Sequence, residues 1–157
     1  MSNHRLHTLM LWCAATDKTF ERVMFGDHEA LRGKCIHCNS ALTINLKGKP
    51  LDKASLEHIV PQTHGGTDDL ANLSLACKKC NNLKGCRLDR RPLSDPTLAA
   101  VIETLTRRKA ERARPPLASL SLPPLPPIST QVVLAEAEPP PPPPRRGRKG
   151  RKRKSRR

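Results

Sequence analysis

Two short cysteine pairs constrain this chain more than any other feature. Cys35-Ile-His-Cys38 and Cys77-Lys-Lys-Cys80 each place two thiols within one turn, with the 38 residues 39–76 between them. Four thiolates form the ligand set of a closed tetrahedral zinc site, so the pairs are expected to meet in space. The separation is wider than in a compact zinc ribbon. His37, inside the first pair, reads as an exposed polar spacer or as an alternative ligand. Cys13 and Cys86 are left over as small buried or free thiols. A metal clamp has energetic work to do here. The chain has only three aromatic residues, Trp12, Phe20 and Phe25, and a core so poor in them is marginal alone. A structural zinc contributes on the order of 10–16 kcal/mol of apparent binding energy to the folding of small units.

Around the clamp the periodicity predicts an α+β domain. Leu6, Leu9, Met10 and Cys13 recur at helical spacing, and polar residues divide the apolar run, which favours an amphipathic helix over a signal peptide. Residues 19–25 are ambiguous. Asp27 reads as the cap of a short helix through Arg32, with Gly33 as its stop. Residues 41–46 alternate as a strand, 47–50 form a turn, and 55–59 form a second strand ended by Pro61. Residues 60–71 make a polar loop bent at Gly65-Gly66. A short strand at 73–76 runs into a helix from the second cysteine pair, for which Gly85 is the expected stop. Asp95-Pro96 starts another helix, with Leu98, Val101, Ile102 and Leu105 on one face and Arg107, Arg108, Lys109 and Arg112 in its last turns.

Composition then divides the rest. Ten of the sixteen prolines follow Pro116, six of them at 139–144, a pattern that suits a polyproline-like or disordered linker, or a ligand for a protein partner. Residues 145–157 hold ten basic residues and no acidic one, a large share of the formal charge of +15. Such a tail follows a phosphate backbone without reading bases, through Arg145, Arg146, Arg148, Lys149, Arg151, Lys152, Arg153 and Lys154; a solubilising or localisation tail is the other reading. The expected divisions are an N-terminal helical segment at 1–29, a zinc-clamped domain at 30–90, a closing helix at 91–114, a linker at 115–144 and a tail at 145–157. No run of about 18 apolar residues exists, so no membrane association is expected, and the expected location is cytoplasmic, nucleoid-associated if the source is bacterial.

One stretch carries chemistry. HIVPQTHGGTDDLANLSLACKKCNNLKG, preceded by Glu57, resembles the HNH endonucleases, and Cys35-Ile-His-Cys38 is similar to the zinc-binding pair found in many of them. The resemblance covers residues 30–86. It implies a strand–loop–strand–helix unit, the ββα-metal fold, and a metal-dependent DNA endonuclease. By that resemblance His58 is the general base, Asn72 braces the loop and helps to orient the histidine, and Asn81 and Glu57 are ligands of a catalytic divalent metal. Asn81 stands where many members carry histidine, and Glu57 where some carry aspartate.

The chemistry is consistent with those roles. Neutral imidazole, with an ordinary pKa of about 6.5, is available as a base at neutral pH. Oxygen ligands suit a hard ion such as magnesium. Glu57 and His58 are neighbours and point to opposite faces of a regular strand, so both reach one site only if His58 sits at a distorted strand end, before Val60-Pro61. Taken singly, each residue has a plainer reading: His58 as a surface or capping residue, Asn72 as a turn cap, Asn81 as an exposed helix residue. His64 reads as a loop residue or a phosphate contact, and Lys84 as a solvated lysine or a nucleic-acid contact. A zinc-dependent nucleic-acid-binding protein without turnover is the alternative function.

Overall fold

The computed structural model describes residues 2–128. Five strands and three helices follow in the order α1 (Asn3–Ala15), β1 (Glu21–Phe25), β2 (His28–Lys34), β3 (Ala41–Asn45), β4 (Ala54–His58), β5 (Leu73–Cys77), α2 (Lys78–Arg87) and α3 (Pro96–Arg112). The strands form two small sheets. One is the antiparallel set β1–β2–β3, the other the antiparallel pair β4–β5. The domain is therefore α+β, as expected.

Residues 27–32 form no helix. Glu21–Phe25 and His28–Lys34 pair as a hairpin, Phe25 opposite His28. Gly26 has φ +59°, the conformation glycine adopts without cost at the first central position of a two-residue hairpin turn. The dipeptide Gly26-Asp27 is a hairpin signal, and here it prevails over Asp27 as a helix cap. Gly33 does not stop a helix either. It lies within β2, where an added Cβ would stand 2.3 Å from the Phe20 ring.

α1 is capped by Ser2, whose side chain accepts from Arg5 N. It buries Leu9, Met10, Leu11, Cys13, Ala14 and Ala15, and it packs on β5 and β4. Burial pushes the Cys13 thiol up to about 12. The core continues through Phe20, Leu31, Ile36, Leu42, Ile44, Leu73 and Leu75 to Leu105 of α3. Asp95 caps α3 by accepting from Thr97 N and Leu98 N, with Pro96 at the first helical position. Leu98 and Leu105 are buried and Val101 and Ile102 partly so, as the spacing predicts. α2 runs through Gly85 to Arg87, so Gly85 is not its stop. Leu88 N and Asp89 N still donate to Lys84 O, so the helical bonds continue past Gly85.

Past α3 the chain does not leave the domain at once. Leu117, Leu120 and Leu122 pack against the core, and Trp12 Nε1 donates to Pro123 O at 2.8 Å. The start of the segment expected as a free linker is thus held on α1. The hexaproline run and the basic tail lie outside the described residues.

Candidate active site

The first cysteine pair lies on the loop between β2 and β3, which closes with Lys34 opposite Ala41. Asn39 turns that loop with φ 61°. The second pair lies at the junction of β5 and α2, and Cys77 caps the helix with its sulfur. Ile36 N donates to Leu75 O at 3.0 Å and brings the two together. The four Sγ atoms of Cys35, Cys38, Cys77 and Cys80 lie within 4.8 Å of one another. Cys38 and Cys77 Sγ are 3.9 Å apart. A tetrahedron with metal–sulfur bonds of about 2.3 Å has edges of about 3.8 Å, so the cluster has the dimensions of a zinc site.

Electrostatics point the same way. Cys77 N donates to Cys35 Sγ at 3.3 Å and Cys80 N to Cys77 Sγ at 3.4 Å, while burial holds the Cys35 thiol above its ordinary value. The Ser40 hydroxyl and backbone bring the Cys38 thiol down to about 6, whereas burial and the neighbouring sulfurs push Cys80 up. Thiols this close oppose each other's ionisation unless a cation lies among them. The four residues fit a structural zinc ion. His37 lies outside the cluster, and its Nε2 lies 3.2 Å from Glu57 Oε2.

Helix α3 braces this clamp from behind. Arg108 donates to the carbonyls of Ile36 and His37. Arg112 donates to Lys34 O and to Asn39 Oδ1. Lys109 Nζ donates to Leu73 O at 2.7 Å. The basic residues that sequence assigned to the helix dipole therefore satisfy carbonyls of the cysteine loop and of β5.

A cleft of about 260 Å³ opens beside the clamp, lined by Glu57, His58, Pro61, Gln62, Thr63, Asn81, Gly85 and Asp89. His58 is the last residue of β4; the chain bends at Ile59 and Val60, while Ile59 N still donates to Asn72 O. Glu57 and His58 thus line one cleft although they are adjacent in a strand. Asn81 reaches across from α2, its Nδ2 donating to Leu56 O at 2.7 Å and Ser55 Oγ at 3.2 Å. Both bonds use the amide nitrogen, so Oδ1 remains available as an oxygen donor. Asn72 is a brace within the loop 59–72: Oδ1 accepts from Val60 N, and Nδ2 donates to Val60 O and Thr67 O. Its side chain makes no hydrogen bond to His58; Asp68 does. His58 Nε2 lies 2.9 Å from Asp68 Oδ1.

Lys84 is placed quite differently from a solvated phosphate contact. Its side chain is 3% exposed, and Nζ lies 2.9 Å from Glu57 Oε1 and 2.9 Å from Asp89 Oδ1. It also donates to His58 O at 2.9 Å. Glu57 Oε1 and Asp89 Oδ1 face this ammonium outside hydrogen-bonding angles, so each keeps lone pairs without a donor. Two carboxylates against one ammonium leave a negative charge over before His37 is counted. That surplus and the oxygen set of Glu57, Asn81 and Asp89 fit a hard divalent cation. His64 is partly buried in the loop, with Nε2 unpartnered among the described residues. The tail arginines and lysines at 145–154 lie outside the described residues.

Asp68, Asp89 and Arg5 were not singled out from sequence. Asp68 had a weak signal, an acidic pair in a loop otherwise built for turning. Arg5 had none, since 63 residues separate it from its partner. Residues 35–87 match the family model described as HNH endonuclease. Neither a curated protein nor a solved structure matches the chain. Among the described residues no helix is long and apolar enough to cross a membrane.

Proposed function

We propose that the protein, whose residues 35–87 match the HNH endonuclease family model, is a metal-dependent endonuclease that hydrolyses DNA phosphodiester bonds. The observation that carries this is the convergence of His58, Glu57 and Asn81 on one cleft held next to a four-cysteine clamp. His58 is the general base, taking a proton from the water that attacks phosphorus. Glu57 and Asn81 hold a divalent cation through oxygen, with magnesium the natural choice for such donors. When bound, that ion supplies charge neutralisation at the phosphate and at the leaving 3′ oxygen. Asn72 keeps the loop that follows His58 in place. The products are 3′-hydroxyl and 5′-phosphate ends. The basic tail adds sequence-independent grip on the DNA backbone.

One observation favours a second reading, a zinc-dependent nucleic-acid-binding protein without turnover. Glu57 is buried between Lys84 and His37, so as a metal ligand it must share its carboxylate with an ammonium. Supercoiled plasmid separates the two. The zinc-loaded protein should nick it with magnesium and not without, and His58→Ala should abolish nicking while DNA binding and folding persist. Equal cutting by His58→Ala and parent refutes the catalytic assignment, and binding without nicking by the parent in any divalent metal establishes the second reading.

A further inference from the structure

The carboxylate that touches the His58 ring comes from Asp68, and the cation that holds this carboxylate comes from α1, outside the matched region. Asp68 has a side-chain exposure of 2%. A carboxylate so buried needs its oxygens satisfied. Arg5 Nη2 and Nε donate to Oδ2 at 2.8 and 3.3 Å. Gln62 Nε2 donates to Oδ1 at 3.2 Å, the oxygen that also faces His58 Nε2 at 2.9 Å. Burial raises the Asp68 pKa, but the bonds from His58 and Arg5 more than reverse this and leave it below the ordinary value.

We infer that Asp68, anchored by Arg5, is the positioning residue for His58: it fixes the ring and places the ring proton on Nε2. An ionised carboxylate only accepts, so the hydrogen between the two groups belongs to Nε2. Neutral imidazole then carries its free lone pair on Nδ1, the nitrogen left to take a proton from water. The loop supports this from behind. Asn72 Nδ2 holds Thr67 O at 3.0 Å, the carbonyl immediately before Asp68. Asn72 thus bears on His58 at one remove, through the backbone that presents Asp68. The inference deepens the nuclease reading and rests on it for its catalytic consequence, though the ring geometry does not.

The test uses the full chain, zinc-loaded, with Asp68→Asn and Arg5→Gln. In Asp68→Asn the Arg5 guanidinium still demands an acceptor at the Oδ2 position. The amide oxygen takes that place, and the amide nitrogen stands at the Oδ1 position, where it faces His58 and the Gln62 amide, which turns its own oxygen inward. Ring ¹⁵N resonances of His58 should then show the proton moved from Nε2 to Nδ1. Turnover should fall roughly 10–100-fold, the range for losing an orienting hydrogen-bond partner, with KM for DNA nearly unchanged. Arg5→Gln keeps the carboxylate, so the tautomer should persist with a smaller loss of turnover; it also serves if Asp68→Asn does not fold. Unchanged ¹⁵N resonances and turnover in both variants overturn the inference. A parent protein that never cleaves, with the tautomer inverted in Asp68→Asn, removes the nuclease reading and leaves the positioning geometry standing.

Discussion

At the residue scale the most consequential side chain is one that sequence reasoning misplaced. Lys84 lies one helical turn beyond Asn81, where a basic residue on a metal-site helix suggests contact with phosphate. Instead its ammonium is enclosed by Glu57, Asp89 and the His58 carbonyl. The burial matters energetically, because removing one partner of a buried ion pair strands the other charge. Lys84→Met should lower the stability of the zinc-loaded protein by about 3–5 kcal/mol in urea unfolding. A midpoint equal to the parent's would mean that the carboxylates are solvated or neutral in the folded state. Glu57 is buried and lines the same cleft as His58, its neighbour at the end of β4.

At the element scale, the site is a strand pair and a helix held by two brackets. β4 and β5 pair with His58 opposite Leu73 and Ala54 opposite Cys77, so one short ladder carries both His58 of the cleft and Cys77 of the sulfur cluster. α2 starts at the cluster and carries Asn81 back to β4. The second bracket is α3. Its arginines occupy carbonyls that a tight cysteine loop exposes, and a hydrogen bond from a charged donor contributes about 1.5–3 kcal/mol. Arg108→Met should therefore lower stability by about that amount and speed zinc release to a chromogenic chelator several-fold. Parent-like release would show that the clamp needs no support from α3. The first sheet holds the cluster from the other side. There the β1–β2 hairpin replaces an expected helix, because Gly26 leads a two-residue turn between Phe25 and His28.

At the scale of the whole molecule, the described residues join three segments distant in sequence. α1 supplies Arg5, residues 35–87 supply the cleft together with Asp89, and residues beyond α3 return to cover Trp12. The site is thus not confined to 35–87. The formal charge of +15 is concentrated at the other extreme of the chain, in residues 145–157. If about half of those charges engage phosphate, the affinity for DNA should fall with a log–log salt slope of roughly −4 to −5. Deleting 145–157 should flatten that slope without altering the bond cleaved, as fluorescence anisotropy and end-group analysis would report. An unchanged slope would place DNA binding on the folded domain instead.

The sequence by itself determined the parts whose signals are local. Cysteine spacing foretold the sulfur cluster, Asp95-Pro96 the start of α3, and the local patterns β3, β4, β5 and the amphipathic helices, though not the β1–β2 hairpin, because caps, turns and ligand pairs act within a few residues. The order Glu57, His58, Asn72, Asn81 was likewise legible as a motif. The partners of those side chains were decided only by the tertiary structure. Asp68 against His58, Arg5 behind Asp68, Lys84 between Glu57 and Asp89, and Arg108 on the cysteine loop depend on which elements pack together. Burial creates those pairings, since an enclosed charge or carbonyl takes whichever partner the packing brings near, and no local pattern records that choice.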